Sequence, residues 1–339
     1  MNKEALSNCL LGGALGDSLG LPAEGLNAKR IAKLWPAPLR HRLLGRRGMV
    51  SDDTEHAVMT LLSLTECEGG PHAFAHVLAK RLRWWFAGMP AGIGLATARS
   101  ILKLWCGVSP PQSGVWSAGN GPLMRAPVIG VWFMRDRAKR LDFTDVSTSI
   151  THSDPRAHEA ARMIAEASAS AAHQVPDADS ILGTLEVQVK CAEMKSRFPL
   201  LWASLRAGDS VGYFADKIGR KPGFVSGFAP DSAAVALFAW LRHRGDFRAT
   251  VESVIAAGGD TDTVAFIAGS LAGIDAGRDG MPKEWIDGLK DWPINVEALD
   301  EVSSGGSLGY PVWPLSLVRN SFFFLVVLAH VFRRALPPY

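Results

Sequence analysis

The sequence predicts an all-α protein. Apolar residues recur at helical spacing, for example at Leu6, Leu10, Ala14 and Leu15, whereas strand-like alternation bounded by turns is almost absent. Helix-start signals accompany this periodicity, as at Asp154-Pro155, where an N-cap precedes a proline at the first helical position. Hydrophobic residues make up 47% and charged residues 20% of the 339 residues, which is enough apolar material for a large core.

The same periodicity places helices in order along the chain. Leu61 and Leu64 share a face of one helix, and further helices are predicted at about 72–87, 121–134, 155–172, 231–244, 247–257 and 262–274. Asp231 opens the fourth of these, Gly258-Gly259 ends the fifth, and Asp260 begins the sixth. No repeat of fixed period is present. We therefore interpret residues 1–339 as a single compact domain, with 308–339 as a C-terminal helical extension packed on it.

The extension contains the longest apolar run, at residues 321–332, with Arg319 before it and Arg333-Arg334 after it. A spanning helix needs roughly 20 apolar residues, so this run is interpreted as a buried core helix and no membrane partner is expected. The N-terminus lacks a basic-then-apolar secretory profile, and the cysteines are scattered, which together favour the cytoplasm; they are Cys9, Cys67, Cys106 and Cys191.

The balance of charge excludes one class of partner. Lys and Arg number 36 against 33 Asp and Glu, so the net charge of +3 gives no reason to expect nucleic acid. The exception is segment 29–47, which holds seven Lys or Arg and no acid. This segment could face a phosphate or an acidic partner, but a solvated connecting loop is the commoner explanation.

Two acidic helix starts carry most of the chemistry. Residues 51–56 (SDDTEH) precede the apolar run from Ala57, and residues 258–263 (GGDTDT) precede another at 264–271. Capping and the helix dipole would explain either one alone, with Asp52 and Glu55 forming a capping box. However, the small apolar residues that follow the second start suggest that it is deeply buried, buried carboxylates need partners, and no Lys or Arg lies close in sequence to residues 258–263. If both starts face one cleft, their carboxylates and hydroxyls would suit Mg²⁺ or Mn²⁺.

Four ordered segments, covering about residues 5–275, resemble the ADP-ribosylglycohydrolase family. They are 12–20 (GGALGDSLG) with Glu24, then 51–54 (SDDT), then 119–121 (GNG) with Met124-Arg125, and 258–263 (GGDTDT). Thr151-His152-Ser153 also looks like the Thr-His-Asn segment of that family, and the tail 313–339 is similar to that of many bacterial members. The resemblance implies an all-α fold with a binuclear metal cleft.

The resemblance also assigns residues to roles. Two Mg²⁺ (or Mn²⁺) would be held by Ser51, Asp52, Asp53, Asp260, Asp262 and Thr263. Glu24 would be the catalytic acid or base at the scissile bond, and the ADP-ribose site would be lined by Ser117, Gly119, Asn120, Gly121 and His152. Without the resemblance, Glu24 would be an ordinary loop carboxylate, 119–121 a turn, and His152 a structural residue.

The implied activity is cation-dependent hydrolysis of the N- or O-glycosidic bond between ADP-ribose and a modified acceptor, so the expected partner is an ADP-ribosylated protein or other ADP-ribosylated acceptor. Members that act on ADP-ribosyl-arginine can carry an acid where this chain has Gly92. A second departure from the pattern of the family is Asp154, which follows Ser153 and replaces the usual residue there. We therefore expect the acceptor site to be less selective for arginine, and the acceptor, whether arginine, serine or another group, stays open.

Three other functions stay open: hydrolysis of another nucleotide-like ester, an antitoxin that binds an ADP-ribosyltransferase, and a structural role like that of crystallins. The intact Glu24 and metal-ligand set disfavour the structural role.

Overall fold

The computed structural model describes residues 2–335, in which there is no β-sheet. The helices are α1 (Lys3–Gly20), α2 (Ala28–Leu34), α3 (Asp52–Glu66), α4 (Pro71–Ala87), α5 (Leu95–Trp105), α6 (Ala126–Trp132), α7 (Arg137–Thr151), α8 (Pro155–Ala172), α9 (Ala178–Gln188), α10 (Ala192–Lys195), α11 (Phe198–Ala207), α12 (Val211–Ile218), α13 (Ala229–Arg242), α14 (Phe247–Ala257), α15 (Thr261–Ala276), α16 (Lys283–Gly288), α17 (Val296–Ser303) and α18 (Leu315–Ala335). Short 3₁₀ turns occupy Leu21–Ala23 and Arg278–Gly280.

Helices α1 and α15 pack against each other in antiparallel directions at the centre of the fold. Glycines on α1 permit this close approach, because a Cβ at Gly12 or Gly16 would collide with the carbonyl oxygens of Gly269 and Ala265 respectively. At the end of the pair, the Thr261 hydroxyl donates to the carbonyl oxygen of Gly20 at 2.8 Å. The C-terminus of α1 therefore lies beside the N-terminus of α15, where the predicted acidic residues begin.

Local signals predicted several helix ends correctly. Helices 155–172 and 247–257 form with the predicted bounds. The Asp154 carboxylate accepts from the Arg156 N–H at 2.9 Å, and Gly258 ends α14 with a φ of 76°.

Two predicted starts are wrong. The chain makes turns through 121–125, so α6 begins only at Ala126, and α13 begins at Ala229 rather than at Asp231. Each of these helices carries a proline in its first turn, Pro127 and Pro230 respectively. Proline favours the first turn because its fixed φ suits a helix and its missing N–H would have no partner there.

The C-terminal run is helical, but the expectation of a buried core helix is wrong. Only 28% of its apolar window is buried, and its outer face exposes Val318, Phe322, Leu325 and Phe332. Its inner face contributes Phe323 to a small cluster separate from the main core. Within residues 2–335, Leu315–Arg334 alone has the length and hydropathy of a membrane span, a property that soluble core helices also show.

A buried arginine fixes this helix to the body of the protein. Arg319 donates to the Glu55 carboxylate at 3.0 Å and to the carbonyl oxygen of Val50 at 2.7 Å, and it forms an ion pair with Asp291. Glu55 also accepts from Trp85 Nε1 at 2.6 Å, so it does not form the predicted capping box. The extension is thereby joined to the first turn of α3.

Candidate active site

Ten of the twelve predicted site residues line one cleft of about 330 Å³, where the loop 117–121 faces the starts of α3 and α15; they are Glu24, Asp52, Ser117, Gly119, Asn120, Gly121, His152, Asp260, Asp262 and Thr263. The other two, Ser51 and Asp53, are buried directly behind its wall. Larger cavities of about 500 and 640 Å³ contain none of the twelve. The sequence-predicted residues therefore form one site.

The first acidic segment is held by Asp17, a residue outside the predicted site residues. Asp17, buried on α1, accepts from the Ser51 N–H at 2.9 Å and from the Thr54 N–H at 3.3 Å. Burial raises the pKa of Asp17 to about 6, although the hydrogen bonds from Thr54 and Ser51 oppose that shift. An acid within the small-residue helix 12–20 was the signal that could have identified this supporting role.

The two acidic segments meet at Asp53. Its Oδ2 accepts from the Thr263 hydroxyl at 3.1 Å and from the Ser51 hydroxyl at 3.2 Å. Its Oδ1 is buried and has no hydrogen-bond partner in the described part of the chain. A buried carboxylate oxygen without a partner is costly, and a cation is one group that would satisfy it.

Five carboxylates crowd this region, those of Glu24, Asp52, Asp53, Asp260 and Asp262. None forms an ion pair with a Lys or Arg among residues 2–335. Asp52, Asp53 and Asp262 each have a pKa well above the usual range. Burial is the largest cause, and repulsion by neighbouring acids is the next. No direct ion pair with a Lys or Arg therefore neutralises these carboxylates in the described part of the chain, although the charge of Arg334 opposes the rise in the pKa of Glu24.

The donors suit a hard cation, because every side chain of the predicted ligand set offers a carboxylate or hydroxyl oxygen. Among residues 2–335, no group of three His, Cys, Asp or Glu side chains is arranged to hold one metal ion by itself. Hydroxyl oxygens such as those of Ser51 and Thr263 would have to contribute as well.

Glu24 is placed by a loop that pairs with the second acidic segment. The Gly25 N–H donates to the Gly259 carbonyl oxygen at 2.8 Å, and the Gly259 N–H donates to the Leu26 carbonyl oxygen at 2.8 Å. The Glu24 side chain reaches solvent at the mouth of the cleft, but the protein crowds its carboxylate on the other sides. This partial desolvation, followed by the charge of Asp260, raises the pKa of Glu24.

Two of the three backbone N–H groups of loop 119–121 are occupied by acceptors within the protein. The Gly119 N–H donates to Ser117 Oγ at 3.2 Å, and the Asn120 N–H donates to the Gly227 carbonyl oxygen at 3.0 Å. The Gly121 N–H has no acceptor within residues 2–335 and remains available to a ligand. Asn120 Nδ2 donates to Asp260 Oδ2 at 2.9 Å, which ties this loop to the second acidic segment.

His152 faces the cleft as a neutral ring. Its Nδ1 lies 2.9 Å from the Thr151 hydroxyl, which already accepts from Arg125 Nη2 at 2.8 Å. That hydroxyl can therefore donate to Nδ1, which leaves a proton on Nε2 for a ligand. Burial first, and then the Arg125 charge, lower the pKa of His152 to about 3. Arg125 was quoted in the resemblance, but its role in orienting His152 is visible only in the structure.

The rim of the cleft includes Gly92 and Gly94. Gly92 has a φ of 83°, where a side chain would be strained, whereas Gly94 is the N-cap of α5 with a φ of −62° and open space around it. Asp154 is the second position at which the sequence departs from the pattern of the family. It is buried as the N-cap of α8 in an ion pair with Arg156, and it does not line the cleft.

Comparisons with known proteins agree with this fold. The chain is similar over 297 residues to an uncharacterized protein of Archaeoglobus fulgidus, with 28% identity over 85% of this chain and 92% of that protein. It is also similar to a solved structure described as an ADP-ribosylglycohydrolase-related protein complex, with a TM-score of 0.67 and 25% identity over 89% of this chain and 96% of that one.

The all-helical fold is therefore shared with an ADP-ribosylglycohydrolase-related protein. The family model for ADP-ribosylglycohydrolase matches residues 2–309, so the chain belongs to that family. The predicted all-α class and the resemblance are confirmed.

Proposed function

We propose that this protein is a cation-dependent hydrolase that releases ADP-ribose from a modified acceptor. One observation carries the proposal: five carboxylates without a basic ion-pair partner among residues 2–335 gather around one cleft that also holds a neutral histidine and a free backbone N–H. The cleft volume of about 330 Å³ lies within the usual range for small-ligand sites. Family membership supports glycosidic-bond hydrolysis as the reaction class.

Two Mg²⁺ or Mn²⁺ ions would be held by Ser51, Asp52, Asp53, Asp260, Asp262 and Thr263. The support is the oxygen-only donor set and the partnerless Oδ1 of Asp53. Such ions supply Lewis acidity and a template for hydroxyl oxygens. They would also lower the raised carboxylate pKa values, because a nearby positive charge favours the ionised form.

The reaction adds a water oxygen to the anomeric carbon of the distal ribose, while the acceptor leaves with the bonding electrons and gains a proton. Glu24 would take the proton from that water or give one to the leaving acceptor. Its raised pKa suits either role, because proton transfer is most efficient when the pKa of the group lies close to the working pH. His152 Nε2–H and the Gly121 N–H would donate to ribose or phosphate oxygens.

The deciding experiment measures free ADP-ribose released from arginine-, serine- and other ADP-ribosylated acceptors, with and without Mg²⁺. Calorimetry with Mg²⁺ or Mn²⁺ alone gives a second readout, in which Asp262→Asn should weaken cation binding and the surface control Asp142→Asn should not. Absence of cation binding, or equal ADP-ribose release by Asp262→Asn, would refute the proposal. Tight binding of an ADP-ribosyltransferase without any release would favour the antitoxin function instead.

A further inference from the structure

A second, strongly basic cavity lies outside the active-site cleft. Its volume is about 210 Å³, and it is lined by Arg40, Arg42, Arg46, His330, Arg333 and Arg334, together with Trp35. None of its described lining residues is acidic, and it shares no lining residue with the cleft. Most of its charge comes from the basic segment 29–47 and the rest from the last turns of α18.

Three of these arginines have donors without acceptors. Arg40 and Arg46 make no hydrogen bond or ion pair with any residue from 2 to 335, and the Nε of Arg42 is buried without a hydrogen-bond partner there. Burial, followed by the charges of Arg40 and Arg333, lowers the pKa of Arg42. A buried arginine elsewhere in the chain, Arg140, instead forms a two-point pair with Glu166, with both distances 3.1 Å. The described lining residues of the basic cavity include no carboxylate that could pair with these arginines in that way.

The walls of the basic cavity are already in position. Arg334 Nη1 donates to the carbonyl oxygens of Pro22 at 3.0 Å and Glu24 at 3.1 Å, and its own carbonyl oxygen accepts from Arg30. The His330 ring stacks on Trp35 with centroids 5.9 Å apart, and its Nε2 lies 3.1 Å from the Pro22 carbonyl oxygen. The side of the cavity formed by Trp35, His330 and Arg334 is therefore preformed, which lowers the entropic cost of binding there.

We propose that the basic cavity binds a small soluble anion with two or more linked phosphate groups, of about the size of pyrophosphate. Guanidinium groups match phosphate oxygens in two-point hydrogen bonds, and one phosphate would leave most of these donors unused. A volume of 210 Å³ lies below that of drug-sized ligand pockets, about 300–1,000 Å³, and so favours a small ligand. The basic cavity shares no lining residue with the cleft, so anion binding there does not depend on the proposed hydrolase function being correct.

The test is isothermal titration calorimetry of the full chain with pyrophosphate, and with inorganic phosphate for comparison. The variant Arg40→Ala/Arg46→Ala removes two exposed and unpaired charges, so its thermal unfolding should match that of the wild type. The control Lys80→Ala/Arg135→Ala removes the same net charge from exposed positions outside the basic cavity. Arg42→Gln tests the buried donor separately.

We expect pyrophosphate to bind more tightly than phosphate, with the Arg40→Ala/Arg46→Ala variant weakened by about tenfold or more, since hydrogen bonds to charged groups are strong. The Lys80→Ala/Arg135→Ala control should bind like the wild type. Equal affinity in wild type and cavity variant, or an equal loss in the control, would overturn the proposal. Vesicles containing anionic phosphatidylglycerol form the last arm, and binding to them without any binding of free pyrophosphate would also overturn it.

Discussion

Replacing Arg319 by methionine should destabilise the protein strongly, although Arg319 lies outside the cleft. The substitution keeps an unbranched apolar stem but removes the charge that neutralises Glu55 and Asp291, whose side chains are only 3% and 1% exposed. Removing one partner of a buried ion pair costs about 3–5 kcal/mol, because the other charge stays buried without compensation. For 339 residues that corresponds to a fall of roughly 4–7 °C in Tm.

Urea denaturation followed by circular dichroism gives the free energy of unfolding of each variant. The double variant Arg319→Met/Glu55→Gln should recover part of the loss, because the Gln amide leaves no charge at position 55. The control Val318→Ser changes an exposed neighbour on the same helix and should stay within about 0.5 kcal/mol of the wild type. A loss below about 1 kcal/mol for Arg319→Met would refute the reasoning, since it would mean that the two carboxylates do not need their cation.

Three further predictions concern the cleft. Glu24→Gln should lower turnover by roughly 10²–10⁴-fold while the calorimetric affinity for ADP-ribose stays close to that of the wild type, and wild-type turnover would show that another group moves the proton. Gly94→Asp places a carboxylate on the rim, so in competition assays it should raise kcat/KM for ADP-ribosyl-arginine relative to the uncharged Gly94→Asn; an unchanged ratio would show that this rim does not contact the acceptor. The pKa of His152 is about 3 in the folded protein, against an ordinary histidine value of 6.5. The contribution of His152 to the free energy of unfolding is therefore complete above pH 6.5, and it decreases by up to about 1.4 kcal/mol per pH unit as the pH falls towards 3. His152→Gln should therefore weaken the pH dependence of the unfolding free energy, and the same dependence in both proteins would contradict the neutral, buried ring.

Short-range signals made much of the fold predictable from the sequence. Helix 155–172 has both ends marked locally, by the Asp154 cap and by the end of its apolar pattern, so its bounds were correct. The tail was predicted less well because it is apolar on most sides. Periodicity then does not tell which face packs, and the exposed positions Val318 and Phe322 differ from their buried neighbours only through tertiary contacts.

The same limit applies to the candidate site. Asp52, Asp260 and Asp262 were identified because they cluster at two helix starts, where caps and dipoles restrict their positions, whereas Glu24 was identified only through the family resemblance. Asp17 and Arg319 were not assigned roles, because their partners Ser51 and Glu55 lie 34 and 264 residues away. Likewise, the Asn120 N–H is occupied by the carbonyl oxygen of Gly227, which no local pattern could reveal.

The pairing of α1 with α15 has a consequence for how the protein is made. Contacts such as that between Gly20 and Thr261 join positions 241 residues apart, so the first helix emerges from the ribosome long before its packing partner exists. At roughly 5–20 residues per second, that interval lasts about 12–50 s. During this time Leu10, Leu11 and Leu15, which are fully buried in the finished protein, have no native surface to cover them. The nascent chain should therefore depend on chaperones until α15 has been synthesised.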